Sequence, residues 1–260
     1  EIYQCDWSSD VCSSDLGSEE GFAKLMNAEA ARLGMTQTRF MNPTGLPDPQ
    51  HKSSARDLAI LARAIIRDSA DYYPIYAERE FKYNGIKQGN RNALLYTDNT
   101  VDGLKTGHTA EAGYCLVTSS KRDGMRLITV ILNTHSAQAR ADLSRTLLAW
   151  GYSKFEKATP IQANAVVAQA KVSFGKTDAV PAVLPSPWLV TVPRGQSVQT
   201  VVEIKPGLEA PIAKGTVVGK VVATSNGKTV SETSLVAQAD VERSGWLLRS
   251  WQHLMRLFGK

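Results

Sequence analysis

The sequence is poor in the residues that link a fold covalently or through metals. It has 3 cysteines and 4 histidines among 260 residues, and none of them shows the spacing of a zinc site. An odd number of cysteines (Cys5, Cys12 and Cys115) also gives no complete disulfide framework. We therefore predict a fold that is held by its apolar core and needs no metal and no cofactor.

Long apolar runs are also missing. No stretch of about 18 consecutive apolar residues occurs, so the sequence predicts no membrane-spanning helix. The formal net charge is +5 and the pI is about 9.1, which favours anionic partners. No basic stripe with interleaved aromatics and no nucleic-acid motif accompanies this charge. We expect phospholipid or acidic cell-wall polymer, and no nucleic acid, as the partner.

The sequence has few places where a serine nucleophile could be paired with a lysine base. The spacing Ser-x-x-Lys, which puts both groups on one face of a helix, occurs only at residues 173–176 and 225–228. Both matches carry glycine and lie in predicted β-hairpins. Neither Ser-Gly-Asn nor Ser-Asp-Asn occurs, and residues 97–99 (Thr-Asp-Asn) are the nearest match. We expect none of these segments to be catalytic.

The sequence does contain a Lys-Thr-Gly triplet inside a longer string. Residues 101–109 read Val-Asp-Gly-Leu-Lys-Thr-Gly-His-Thr, and Ala-Gly-Tyr and a β-rich run follow at 112–119. Three common residues alone would indicate only a turn before a strand. In this context the triplet is one of the three motifs shared by penicillin-binding proteins and class A β-lactamases.

The whole string resembles the D-alanyl-D-alanine carboxypeptidases, the low-molecular-mass penicillin-binding proteins of peptidase family S11. Further similar segments lie at residues 53–57, 90–92, 124–128 and 192–195, and the resemblance runs from about Gly17 to the last residue. It implies an enzyme that removes the terminal D-alanine of peptidoglycan stem peptides through an acyl-enzyme and is inhibited by β-lactams. Because both serine motifs are missing, the chain resembles a family member truncated at its N-terminus, and we expect this fragment to be inactive.

The resemblance also implies roles for individual residues. Lys105 and Thr106 would bind the carboxylate of the terminal D-alanine, since an ammonium and a hydroxyl donor suit that group. Gly107 would let an extended peptide pair along the strand. The backbone N–H of His108 would be an oxyanion-hole donor, and Arg140 stands where the family has an arginine near the site. For Arg140 and for the imidazole of His108, a structural role stays open.

Composition divides the chain into four segments. Residues 1–16 show neither helical nor strand periodicity, and we interpret them as a foreign or disordered leader. Residues 17–154 have mixed helix and strand patterns, which the resemblance implies are the later part of an α+β catalytic domain like that of β-lactamases and penicillin-binding proteins. Residues 155–239 alternate short Val-rich strands with turns, which predicts a small all-β domain. Residues 240–260 predict a cationic amphipathic helix that anchors the protein to a membrane surface. The resemblance implies a location at the periplasmic face of the cytoplasmic membrane.

Local signals place elements in the first half. Ser18 is predicted to begin a helix that ends at Gly34, and Ser54 to begin a second helix. Asn84-Gly85 predicts a two-residue hairpin. A further helix is predicted from about residue 138 to 150, with one face that carries Leu143, Leu147 and Trp150.

Two other functions stay open at this point. A class A β-lactamase would share the motifs but would end soon after its last helix, whereas this chain continues into a β-rich half and a cationic tail. A non-catalytic envelope module that binds peptidoglycan and membrane also describes the chain. A Ser-x-x-Lys upstream in the coding frame would favour the enzyme.

Overall fold

The computed structural model describes residues 18–245. The chain forms two compact units, which divide between Tyr152 and Ser153, two residues before the sequence-based boundary. The first unit mixes helices with antiparallel sheet, and the second consists of strands. The predicted leader, residues 1–16, lies outside the described residues.

Two capped helices open the first unit, as predicted. Helix α1 (Glu19–Leu33) begins at Ser18, whose side chain accepts a hydrogen bond from the N–H of Gly21 at 3.0 Å. It ends at Gly34, which has a φ of 79° and takes the left-handed conformation that glycine adopts without strain. Helix α2 (Ala55–Asp68) begins in the same way at Ser54.

A hairpin and a three-stranded sheet follow. The predicted Asn84-Gly85 turn joins β1 to β2, and both of its residues have positive φ. The antiparallel sheet has the order β3-β4-β5, so β3 is an edge strand of the described sheet. The elements after α2 are a 3-10 helix (Tyr73–Ala77), β1 (Glu80–Tyr83), β2 (Ile86–Gly89), α3 (Leu94–Thr97), β3 (Val101–Thr109), β4 (Gly113–Arg122), β5 (Met125–Thr134) and α4 (Ala137–Lys154).

Helix α4 packs on a face that apolar spacing does not reveal. Leu143, Leu147 and Trp150 share one side, as expected, but they are 50%, 39% and 52% exposed. The buried side is made mostly of small or polar residues, namely Arg140, Ala141, Ser144, Leu148 and Gly151. A Cβ at Gly151 would lie 2.7 Å from a methyl of Leu127, so small residues let the helix approach the sheet closely.

The second unit is all-β, as predicted. Its sheets have the orders β10-β11-β12-β8-β7 and β6-β9. The core between them includes Val218, Val221 and Leu235, none of which is exposed. The strands are β6 (Phe155–Ala158), β7 (Val166–Lys171), β8 (Ala179–Val183), β9 (Val190–Pro193), β10 (Gln199–Ile204), β11 (Val217–Ser225) and β12 (Lys228–Ala237).

The predicted anchor helix needs a correction at its beginning. Val241 forms a β-bridge with Ile212, and Arg243 forms one with Gly175, so residues 240–243 complete the all-β unit. The reason is that Val241 is 3% exposed and fills part of that core. Residues 246–260 of the predicted anchor segment lie outside the described residues. Within residues 18–245, no helix is both long and apolar enough to cross a bilayer.

Candidate functional site

A polar network fixes the start of β3. The carboxylate of Asp102 accepts hydrogen bonds from the Tyr73 hydroxyl at 3.0 Å and from Arg126 Nη1 at 2.7 Å. Burial raises the pKa of Tyr73 to about 12, so its hydroxyl stays protonated and remains a donor. A Cβ at Gly103 would lie 2.7 Å from the Tyr73 hydroxyl oxygen, which leaves room only for glycine. The network therefore holds the strand three residues before Lys105.

Asn92 adds a second tie to the same strand. It is 1% exposed, and its side-chain amide donates to the carbonyl of Gly103 at 3.1 Å. Its side-chain oxygen accepts from the N–H of Leu94 at 3.2 Å. Because both halves of a buried amide are bonded, the segment 90–92 is locked onto β3.

After Leu104 the strand emerges from the core. Leu104 is buried, whereas Lys105, Gly107 and His108 are exposed. The Lys105 ammonium donates to the carbonyl of Thr106 at 2.6 Å. A Cβ at Gly107 would meet only the Cβ of Cys115, at 3.9 Å, which is ordinary contact. The fold itself would therefore accept a side chain at 107, and its absence leaves the edge of β3 open to an approaching chain.

One cavity collects all of the predicted site residues. It has a volume of about 910 Å³ and combines β3 with a turn-rich loop, the beginning of β4 and the beginning of α4. The predicted residues on its lining are Lys105, Thr106, Gly107, His108 and Arg140. The structure thus brings Lys105 and Arg140, which are 35 positions apart in the chain (140 − 105), into one cavity.

Three cations line this cavity. They are Lys105, Arg91 and Arg140, and no aspartate or glutamate joins them among the described lining residues. The Lys105 residue as a whole is exposed to solvent. Protein atoms nevertheless surround its ammonium, and this partial burial lowers the pKa of Lys105. The positive charges of Arg91 and Arg140 lower that pKa further. A bound carboxylate would offset this repulsion, so the cavity is suited to an anion.

Arg140 has both a structural and an electrostatic part in the site. It is 6% exposed, and its Nη1 donates to the carbonyls of Gly107 at 3.0 Å and Cys115 at 3.2 Å. Its guanidinium carbon lies 5.6 Å from the centroid of the Tyr114 ring. The His108 imidazole also packs on Tyr114, with the ring centroids 3.9 Å apart. Arg140 therefore links β3 to β4 through these hydrogen bonds, and it also contributes a positive charge to the cavity lining.

Several lining residues were not predicted from the sequence. Tyr114 and Cys115 belong to β4, where their register opposite His108 and Gly107 places them beside the motif. Residues 44–47 belong to a loop that the Asn42 side chain shapes by accepting a hydrogen bond from the N–H of Gly45 at 2.8 Å. Arg91 lines the cavity next to Asn92, whose hydrogen bond to Gly103 holds this segment on β3. The periodicity of a single strand could not have revealed these lining residues, because they come from separate segments of the chain.

The two Ser-x-x-Lys matches both fall in the all-β unit. Ser225 and Lys228 pair across the tight turn between β11 and β12. Ser173 forms a β-bridge with Glu209, and Lys176 forms an ion pair with Glu242. Neither pair lies on a helix, so neither has the one-turn geometry that lets lysine take a proton from serine.

The nearest match to the second serine motif has a structural role. Thr97 is the last residue of α3, and Asp98 follows it as the C-cap. The Asp98 carboxylate forms an ion pair with Arg122 at 2.9 Å and accepts from the N–H of Thr100 at the same distance. These bonds hold the connection into β3.

Beside the cavity lies a second recess with an almost wholly apolar lining. It has a volume of about 430 Å³ and shares Lys105, Thr106 and Gly107 with the first. Helix α2 contributes one wall through Leu58, Leu61, Ala62 and Ile65. An apolar recess directly beside an exposed polar motif is a surface on which another amphipathic element can pack.

Comparison with known proteins matches both units. A family model described as D-alanyl-D-alanine carboxypeptidase matches residues 13–136, and a model of the C-terminal domain of penicillin-binding protein 5 matches residues 155–243. The D-alanyl-D-alanine carboxypeptidase DacC of Escherichia coli (strain K12) is 42% identical over 248 residues, which cover 93% of this chain and 62% of that protein. DacA of Haemophilus influenzae (strain Rd) is 37% identical over 245 residues, with coverages of 92% and 62%.

A solved structure agrees with these matches. The crystal structure of penicillin binding protein 5 from Haemophilus influenzae superposes with a TM-score of 0.72 at 37% identity, over 91% of this chain and 70% of that one. The chain spans less than two thirds of the length of the curated relatives named above. The two family models match in chain order, and the relatives cover the motif strand and the all-β unit together. The chain therefore belongs to the D-alanyl-D-alanine carboxypeptidase family.

Proposed function

We propose that this chain is the substrate-recognising part of a serine-type D-alanyl-D-alanine carboxypeptidase that acts on peptidoglycan stem peptides and is sensitive to β-lactams. The observation that carries the proposal is the cationic cavity on the open edge of β3, with Lys105 and Thr106 on its lining. The names of the relatives, both D-alanyl-D-alanine carboxypeptidases, agree with it. The match of residues 155–243 to the penicillin-binding protein 5 domain favours this function over a class A β-lactamase.

The edge of β3 would bind the peptide as an added strand. An extended peptide can form backbone hydrogen bonds along an open edge, and the missing side chain at Gly107 lets it approach. Lys105 and Thr106 would then bind the terminal carboxylate, and the N–H of His108 would stabilise the oxyanion. The almost wholly apolar recess beside Lys105 is where we propose that the segment carrying the serine and its lysine base packs.

Binding of a short peptide to the 260-residue chain tests recognition without chemistry. We expect N-acetyl-Ala-D-Ala-D-Ala with a free carboxylate to bind at least about tenfold tighter than its C-terminal amide, since a hydrogen bond to a charged group contributes about 1.5–3 kcal/mol. Lys105→Gln should remove this preference. Lys121→Gln, an exposed lysine on β4 outside the cavity, should keep it. Equal Kd values for acid and amide, measured by NMR titration, would contradict the proposal.

The same titration has an expected pH dependence. Because the pKa of Lys105 is lowered by burial and by Arg91 and Arg140, its charge is lost at a lower pH than that of an ordinary lysine. The preference for the free acid should therefore be greatest below that lowered pKa and should fall as the pH rises through it.

We further propose that the C-terminal tail attaches the protein to the outer face of the cytoplasmic membrane. The support is its sequence, with Trp246, Trp251 and Phe258 among apolar residues and a net charge of +3 over residues 246–260 (3 basic − 0 acidic). Deleting residues 246–260, which leaves the all-β unit intact, should move the protein from the pellet to the supernatant when it is sedimented with anionic liposomes. Equal sedimentation of both forms would refute the attachment.

A further inference from the structure

The β1–β2 hairpin stands clear of the core of its unit. Every residue of its two strands is exposed. The hairpin nevertheless carries three large apolar side chains, since Phe81 is 67%, Tyr83 63% and Ile86 49% exposed. Single exposed apolar residues are ordinary, but an apolar face on an element that packs on no core indicates a contact surface for another molecule.

The apolar residues share one face of the hairpin with an amide. Residues two apart on a strand lie on the same face, and the register places Gln88 opposite Phe81 and Ile86 opposite Tyr83. The rings of Phe81 and Tyr83 are nearly parallel, with an interplanar angle of 7° and centroids 6.4 Å apart. These four residues, here called the aromatic face, combine two parallel rings with a hydrogen-bonding group.

Hydrogen bonds hold the base of the hairpin in place. The backbone N–H of Asn90 donates to the carbonyl of Arg79 at 2.7 Å, and its side-chain amide donates to the carbonyl of Glu78 at 3.0 Å. The Tyr96 hydroxyl also donates to the carbonyl of Arg79. The residue after Asn90 is Arg91, which lines the cavity. The hairpin is therefore fixed at its base and continuous with the cavity lining.

We propose that the aromatic face binds the glycan strand to which a stem peptide is attached, as a platform for β-linked N-acetylated amino sugars. This inference rests on the proposed function, because a stem peptide in the cavity brings its glycan with it. One side of a pyranose ring presents C–H groups, which are attracted to the negative π face of an aromatic ring. The hydroxyl and acetamido groups of the sugar can form hydrogen bonds with the amide of Gln88.

The reach of the peptide permits this placement. Gln88 is three residues before Arg91 (91 − 88), so the chain between them spans at most about 10 Å. An extended pentapeptide spans at most about 17 Å. A stem peptide whose terminal carboxylate lies in the cavity can therefore carry its glycan as far as the aromatic face.

A polar polymer suits the hairpin better than a bilayer does. Its sheet has two strands, so each strand has an outer edge that no third strand covers. Its other face carries Lys82 and an ion pair between Lys87 and Glu80 at 2.7 Å. Hydrocarbon would leave backbone groups and charges without hydrogen-bonding partners, at a high cost in free energy. Sugar hydroxyls and amides can bond to such groups instead.

An NMR titration of the 260-residue chain with tetra-N-acetylchitotetraose tests the proposal, because this sugar has neither peptide nor charge. We expect shift changes concentrated in residues 80–89, which persist at about 500 mM salt since no charges are screened. Replacing both Phe81 and Tyr83 by alanine should weaken binding about tenfold, because two ring contacts are lost. Trp150→Ala, which removes an exposed aromatic on α4, should leave the affinity unchanged.

Further outcomes separate the possible failures. Phe81→Tyr and Tyr83→Phe keep both rings and should keep the affinity, and the shift map of the unaltered chain needs no variant. Absence of shift changes at 80–89, or full affinity in the double alanine variant, overturns the inference. A double variant that loses liposome sedimentation, in a chain that binds no sugar, would overturn it in favour of membrane contact. The proposed function fails separately, if the acid and amide peptides bind equally, since the sugar has no terminal carboxylate.

Discussion

Replacing Lys105 by alanine should lower kcat/KM for D-Ala-D-Ala hydrolysis by about 10²–10³-fold, or about 3–4 kcal/mol of transition-state stabilisation. The measurement requires a catalytically complete protein. A chimera provides it by placing the N-terminal segment of Escherichia coli DacC before Ser18. The large effect is expected because the ammonium of Lys105 is partly buried in the cavity, where this burial and two nearby arginines lower its pKa.

Two controls give this result its meaning. Lys121→Ala in the same chimera removes an exposed lysine on the neighbouring strand and should leave kcat/KM unchanged. Circular dichroism should show the same folded content in both variants, because Lys105 is exposed and fills no core position. A Lys105→Ala chimera with undiminished kcat/KM would mean that the triplet takes no part in substrate recognition.

Fluorescent penicillin should leave no covalent label on the 260-residue chain and should label the chimera. Acylation requires a serine beside a base in one fixed geometry. Ser225 lies next to a hairpin turn, and Ser173 bridges to Glu209, both within the all-β unit. We expect the added segment of the chimera to supply a serine and a lysine base, and we propose that it packs in the recess beside Lys105.

The label can be traced by digestion and mass spectrometry. We expect a single modified peptide in the chimera, in the added segment, and none in residues 18–245 of either protein. A serine-to-alanine change in the added motif should abolish labelling and thereby serve as the matched control. Label on Ser173 or Ser225 of the unextended chain would refute our assignment of these residues to a structural role.

Elements with local causes could be predicted from the sequence. Ser18 and Gly34 bound α1 because a cap is decided within one turn by the residues at that turn. The Asn84-Gly85 turn formed as expected, because the positive φ that it needs costs little for these residues. The Lys-Thr-Gly strand and the change to an all-β unit near residue 154 could also be predicted, because each follows from a local sequence pattern.

The exposed side of α4 and the network at Asp102 were decided only by tertiary packing. Helical spacing groups Leu143, Leu147 and Trp150, but the sheet surface instead accepts the small residues near Gly151. Asp102 meets Tyr73 and Arg126, which are 29 and 24 residues away, so no short pattern announces their contact.

The site shows the same division. The sequence by itself determined that Lys105, Thr106 and Gly107 stand together in a motif on one strand, and it predicts that they are offered to a substrate. Tertiary structure decided that Arg91 and Arg140 join them in a cavity without acidic residues on its described lining. The physical reason is that a local motif encodes the groups that touch a ligand. The electric field around these groups is the sum of charges brought together from distant segments, and it exists only once the strands and helices have packed.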